Sequence, residues 1–372
     1  MNYKTPLAAM LLVSTSGLAM AQSSVTMYGL VDATLGRFKG AATGVNALDQ
    51  SVTRLDGGGL STSHLGFRGT EDLGGGLNAI FDLSAFIRND TGEVGRSDAI
   101  GPPVNVGADP FFSRSSWVGL ASRDWGTLRV GNITTLLFLN SITSNAFADS
   151  TVFGPLNLVT HIGGPQAGGT AWTNQATYDS PSLSGVRFSV ARSLPEGQGG
   201  GNTGARLSYD QGPLAASFAW QSVKKTPLTF ADGTTPNHVK TWMLGGSYDF
   251  SAVKLFAHVG RIQNNGTDAA PQDVGYRVME VSAAMPVGTG RFLAGYAVRK
   301  TSDTPTPVPG TAAGGNVKRA VLTLGYDHYL SKRTDLYAVV MNDRTETRTL
   351  PAPPSIVKAS GTSFGFGIRH RF

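Results

Sequence analysis

Gly361-Thr362-Ser363-Phe364-Gly365-Phe366-Gly367-Ile368-Arg369-His370-Arg371-Phe372 closes the chain. Side chains alternate across a strand with period two. Phe364, Phe366, Ile368, His370 and Phe372 therefore share one face, and Ser363, Gly365, Gly367, Arg369 and Arg371 share the other. A bulky apolar face backed by an arginine-bearing one, ending on a bare phenylalanine, suits a wall between lipid and water. Taken alone, the stretch also fits the last strand of a soluble sandwich.

The opposite end of the chain favours the wall. Residues 1–21 carry a positive start at Lys4, an apolar run from Pro6 to Leu18, and Ala19-Met20-Ala21 as a small-x-small cleavage site. That is the pattern of a cleaved secretory signal peptide, and it predicts a mature chain over 22–372. The run is too short to span a bilayer as a helix, and no other segment reaches the roughly 20 apolar residues such a helix needs.

Composition narrows the class. With no cysteine in 372 residues there is no disulfide framework and no thiolate site. A mean hydropathy of −0.06 is too polar for a helical membrane protein. It suits a barrel, in which only alternate residues meet lipid. The formal charge of +6 falls to +5 when Lys4 leaves, a modest excess that either favours anions or lies in loops and turns. Nothing points to a nucleic-acid partner.

Segments of about ten alternating residues recur along the chain. Val25, Met27, Val31, Ala33 and Leu35 oppose Thr26, Tyr28, Asp32 and Thr34; Leu65 and Phe67 oppose His64, Gly66 and Arg68. Leu77, Ala79, Phe81, Leu83 and Ala85 oppose Asn78, Asp82, Ser84 and Arg88. The same reading places Leu322, Leu324 and Tyr326 against Arg319, Thr323 and Asp327. Near Asp335 to Met341 both faces are apolar and the lipid side cannot be assigned. Short breaks such as Asp210-Gln211-Gly212-Pro213 hold turn chemistry. They alternate with long ones: 39–59, 89–110, 132–169, 301–316 and 344–360. The expectation is an all-β, 16-stranded antiparallel transmembrane barrel, with short periplasmic turns, long outer loops and both termini on the short-turn rim. Sixteen strands leave a channel too wide for side chains to fill. The longest break, 132–169, holds Leu136, Leu137, Phe138, Phe147, Phe153, Leu156 and Leu158. So apolar a loop is expected to fold into the lumen.

Several segments carry a family pattern: Ser24-Val25-Thr26-Met27-Tyr28-Gly29-Leu30-Val31-Asp32-Ala33, the run Ser61 to Leu77, Ser331-Lys332-Arg333-Thr334, and the terminal Gly367 to Phe372. On these the chain resembles the trimeric general porins of the bacterial outer membrane, in their β-proteobacterial branch. The resemblance implies a homotrimer, a third loop folded inward as a constriction, and passive diffusion of small hydrophilic solutes and ions. It also implies outer-membrane lipids as surroundings, and assembly machinery that reads Phe372. Three positions depart from the family habit. His64 stands where arginine is common, Gly131-Asn132 where Gly-Arg is common, and Ser84, with Asp82 beside it, where a glutamate is common. The implied transverse field is weaker than the family norm.

The expected pore-lining and constriction residues are Arg68, Arg129, Asp82, Arg88, His64, Arg114, Asn132 and Asp149. Arg68 faces the lumen by parity, and a low-dielectric channel focuses the field of such a cation. Arg129 leads straight into the long loop and is the best-placed lumen arginine by sequence. Arg88 lies nearer the loop rim, and Arg114 starts the fourth strand. His64 is a candidate for pH-dependent conductance. His161 is the potentially basic group of the long loop. Tyr209, Trp220, Tyr248, Phe250, Tyr326 and Phe372 read as an interfacial girdle. No catalytic pattern, phosphate loop or metal-ligand spacing is present, so no enzyme activity, cofactor or metal is expected. The leading expectation is a water-filled diffusion channel with a weak anion preference. A substrate-preferring channel with a narrowed, weakly charged constriction is the alternative. A closed barrel acting as an adhesin or enzyme is a third reading.

Overall fold

Alternation becomes a wall in the computed structural model, which describes residues 24–41, 51–96, 110–162, 167–196, 201–224, 238–266, 271–301, 316–349 and 355–372. The expected signal peptide, residues 1–21, lies outside the described residues. In chain order the strands begin β1 (Ser24–Phe38), β2 (Val52–Asp56), β3 (His64–Gly74), β4 (Leu77–Arg88), β5 (Glu93–Val94), β6 (Ser115–Ser122) and β7 (Gly126–Thr134). Two helices, α1 (Leu136–Thr143) and α2 (Pro155–Thr160), precede β8 (Ala171–Asp179), β9 (Val186–Ser193), β10 (Thr203–Gln211), β11 (Leu214–Val223) and β12 (Val239–Asp249). The chain ends with β13 (Lys254–Gly266), β14 (Pro271–Val287), β15 (Gly290–Thr301), β16 (Asn316–Tyr329), β17 (Thr334–Thr349) and β18 (Ser355–Arg371).

Every pairing is antiparallel, and β1 closes on β18 with Leu30 opposite Arg371 and Arg37 opposite Phe364. β5 is a two-residue ribbon against the end of β4. β2 and β3 both pair with β1, and so form one stave interrupted at 57–63. Sixteen staves result, and the fold is the closed antiparallel barrel expected from the sequence. Gly74, Gly75 and Gly76 all take positive φ at the turn after β3. Non-glycine residues adopt that region only at a cost, which explains the glycine triplet there. Gly29, in the first half of β1, and Phe372 exchange backbone hydrogen bonds on this short-turn rim.

The expected breaks at 39–59 and 344–360 are shorter than read. The first contains β2. The second is mostly ladder, paired out to Thr349 and Ser355. Thr345, Thr347, Thr349 and Val357 are β-branched and favour a strand even where no lipid demands one.

Outward faces are apolar and exposed: Val25, Met27 and Leu35 on β1, Met279 and Val281 on β14, and Phe364, Phe366 and Ile368 on β18. Aromatic rings pair near the short-turn rim, Tyr248 with Phe250 at 4.6 Å and Phe292 with Tyr326 at 4.8 Å between centroids. β17 resolves the strand whose faces looked alike. Leu336 and Val340 point outward, while Tyr337, Val339 and Met341 are buried inside. Val339 and Met341 join the buried cluster of the third loop, and Tyr337 lies against Gly59 of the segment 57–63.

Candidate functional site: an asymmetric lumen

Thr135 starts the third loop by accepting the backbone N–H of Phe138 on its Oγ1, which caps α1. Pro155 opens α2, where its missing N–H costs nothing. Helices of eight and six residues are not stable alone. Packing holds them: α1 lies on β10, β11 and β12, and α2 on β14, β15 and β16. Leu136, Leu137, Phe147, Phe153, Leu156 and Leu158 are all buried against Val239, Met243, Ile262, Val278, Leu293, Val321 and Met341 of the wall. Each such leucine or phenylalanine contributes about 1.5–3 kcal/mol relative to exposure, ample to seat a short loop. Gly295 of β15 permits a close approach, since a Cβ there would come within 2.9 Å of Phe147 and 3.2 Å of Pro155.

Polar ties finish the docking. Arg319 donates from Nη1 to the carbonyls of Leu158 and Ile162, at 2.8 and 2.9 Å, and grips Asp343 with Nε and Nη2. Arg299 donates to the carbonyl of Val159 at 2.9 Å. His161 sits against Ser141 Oγ at 3.0 Å and edge-on to Phe138. Burial, with Arg96 nearby, pushes its imidazole down to about 3. It is neutral, and the third loop has no basic group there.

The interrupted second stave fills the lumen beside the third loop. Residues 57–63 are buried inside the barrel. Asp32 accepts the N–H of Ser61 at 2.8 Å and the hydroxyl of Tyr337. Below it, Arg369 bridges Asp335 and Asp327 at 2.9 and 3.0 Å and donates to Ser61 Oγ. Sequence alternation put Arg369 on the inner face but could not supply these partners, which lie up to 308 residues away.

The opposite half, from β3 to β10, is polar and open. Arg68 is exposed, with its guanidinium over the Tyr28 ring at 5.1 Å. Asp82 accepts the Tyr28 hydroxyl at 2.6 Å and the Ser115 hydroxyl. His64 is half-buried, its Nδ1 2.9 Å from the Thr62 carbonyl oxygen. Arg114 precedes β6 and reaches Ser84 Oγ at 3.4 Å. Asp149, from the third loop, accepts the Thr62 hydroxyl at 3.2 Å. Thr62 joins His64 to Asp149, and Ser84 Oγ lies 3.4 Å from both Arg114 and Asp82, so these residues form one cluster.

Three expected residues lie outside that cluster. Arg129 is engaged with Asp179 at 2.5 Å and stacks over Trp117 at 5.4 Å. Its leading place on sequence grounds came from parity, which cannot see a partner 50 residues on. Arg88 is at the loop rim, 3.6 Å from Glu93. Asn132 ties β7 to the carbonyl of Ser113 at 3.1 Å. Tyr28 and Arg206 were not singled out by sequence. Arg206 shares the inner face of β10 with Ser208 and reaches Thr143 at 3.4 Å.

A family model described as Gram-negative porin matches residues 8–348. The chain belongs to the Gram-negative porin family. It is 31% identical over 395 residues to outer membrane porin protein 32 of Delftia acidovorans, covering 99% of this chain and all of that one. It is 29% identical over 417 residues to an outer membrane porin protein of Bordetella pertussis, covering 99% of this chain and all of that one. Among solved structures it resembles the anion-selective porin from Comamonas acidovorans, at a TM-score of 0.74 and 27% identity, over 94% of this chain and all of that one. The barrel is thus an outer-membrane channel for passive diffusion of small hydrophilic solutes. Its relatives are channel proteins rather than enzymes.

Proposed function

We propose that solutes pass along the β3–β10 half of the lumen and that Arg68 and Arg114 give the channel a weak preference for anions. The observation that carries this is the state of the two guanidinium groups. Among the described residues neither forms an ion pair, whereas Arg129 is taken by Asp179. Asp82 and Asp149 oppose the cations, so the net field is modest, and a channel with low-dielectric walls focuses what remains. The anion selectivity of the Comamonas porin supports the same sign. Leu136, Leu137, Phe147, Phe153, Leu156 and Leu158 of the third loop turn to the wall, so they do not line the path. That favours general sieving over a substrate-preferring channel. No enzyme activity is part of this reading. The same proposal includes removal of residues 1–21, assembly as a homotrimer, and recognition of Phe372 by the outer-membrane assembly machinery.

The test is the reversal potential of the mature protein in a planar bilayer across a potassium chloride gradient. The expected result is a chloride preference that falls in Arg68→Ala and Arg114→Ala and survives in Arg129→Ala. A preference unchanged by the first two substitutions overturns the assignment.

A further inference from the structure

Arg187 of β9 and Arg206 of β10 are two further cations of the lumen wall. On β9, Phe188 and Val190 are exposed on the lipid side, while Ser189, Ala191 and Ser193 are buried inside. Arg187 shares parity with Ser189, so it faces the lumen, and it is exposed there. Arg206 is directly opposite Ser189, and Ser189 is opposite Asp179 of β8. Arg187 is therefore the diagonal neighbour of Arg206 on the inner face, about 7–8 Å away at the backbone. Arg206 reaches Thr143 at the end of α1, and Arg187 stands beside the turn at Ser184 and Gly185. The pair lies between the third loop and the short-turn rim, on other strands than Arg68 and Arg114.

The nearest carboxylate is already engaged on both oxygens. Asp179 accepts Arg129 Nη2 at 2.5 Å on one and Ser189 Oγ at 2.6 Å on the other. Asp210, further along β10, is exposed at the turn and pairs with neither arginine. Among the described residues Arg187 and Arg206 thus form no ion pair. Arg206 makes one long bond, 3.4 Å from Nη2 to the Thr143 hydroxyl. Its Nε is buried without a hydrogen-bond partner, and so is Nε of Arg129 beside it. Buried donors are almost always satisfied, and neighbouring like charges repel across a sheet. Two unpaired guanidiniums with idle buried donors are reconciled by an anion held between them.

We propose that Arg187 and Arg206 form a binding station for a small, doubly charged oxyanion on the short-turn side of the third loop. The donors set the ligand chemistry. A guanidinium presents its N–H groups in a planar fork that matches the oxygens of an oxyanion and gives no such match to a halide. Two uncompensated positive charges favour an ion of charge −2 over one of charge −1. Arg129 is a positioning residue here: by occupying Asp179 it keeps that carboxylate from Arg206. An oxyanion held at this place sits in the path and slows chloride. The inference rests on the reading that ions follow the β3–β10 half of the lumen.

Block of the single-channel chloride current in a planar bilayer provides the test. The probes are sulfate, which is doubly charged, and methanesulfonate, which is also tetrahedral but singly charged. Each is added to both sides at constant chloride and matched ionic strength. The expected result is that sulfate halves the chloride current at a concentration about tenfold lower than methanesulfonate does. The double variant Arg187→Gln, Arg206→Gln should lose that margin. Equal block by the two probes in the native channel overturns the proposal and needs no variant. A double variant that keeps the margin overturns it too. So does a margin lost only in Arg68→Ala with Arg114→Ala, which would place the sulfate in the other cluster. The path itself is tested apart from this, by the chloride preference measured without sulfate.

Discussion

Arg319 is the residue from which the second half of the third loop hangs. It is buried and bidentate to Asp343, and it satisfies two loop carbonyls at once. Breaking a buried ion pair from one side costs about 3–5 kcal/mol, because the remaining charge is stranded. Arg319→Leu is expected to lower barrel stability by that order, read by thermal unfolding, and to make the open channel noisy. Arg319→Leu with Asp343→Leu should recover part of the loss, since the stranded carboxylate is then gone. A double variant no more stable than the single one would deny the pair its role. At this scale the sequence was partly legible. Alternation placed Arg319, Arg68 and Arg369 inside the barrel correctly. It could not tell a cation with a partner from one without, so it ranked Arg129, which is paired with Asp179, ahead of Arg68.

The third loop is the element that sets the channel. Its two short helices have no stability of their own and are held by the wall. Gly295 is a tight point of that contact, against Phe147 and Pro155. Gly295→Leu should push Phe147 and Pro155 inward, cost about 1–3 kcal/mol as overpacking does, and change the single-channel conductance. A conductance identical to that of the native chain would mean that the loop is not seated there. The apolar composition of the loop foretold its inward fold. The same contact explains why β17 resisted assignment. A lumen face covered by an apolar loop is itself apolar, and alternation then carries no sign. The 57–63 bulge gave no warning in the sequence, because Gly57-Gly58-Gly59 reads as ordinary loop.

The whole molecule is two unlike half-cylinders. From β11 to β18 the inner face is apolar or locked in buried networks, and the third loop and the bulge occupy it. From β3 to β10 the inner face is polar, with Arg68 exposed and Arg114 joined to Asp82 through Ser84. The barrel, its strand number and its orientation were legible because lipid forces every spanning strand into period two. The asymmetry was not, because it depends on which stretch of wall the third loop meets. The central claim is that water and ions follow the charged half only. The chain has no cysteine, so one introduced thiol is unique. The decisive measurement is the current through Arg68→Cys and Thr323→Cys channels while an anionic methanethiosulfonate reagent is added. Thr323 is buried on β16 opposite Gly295, under the third loop. The account predicts a prompt fall in current for Arg68→Cys and none for Thr323→Cys; prompt block at Thr323→Cys with none at Arg68→Cys would contradict it.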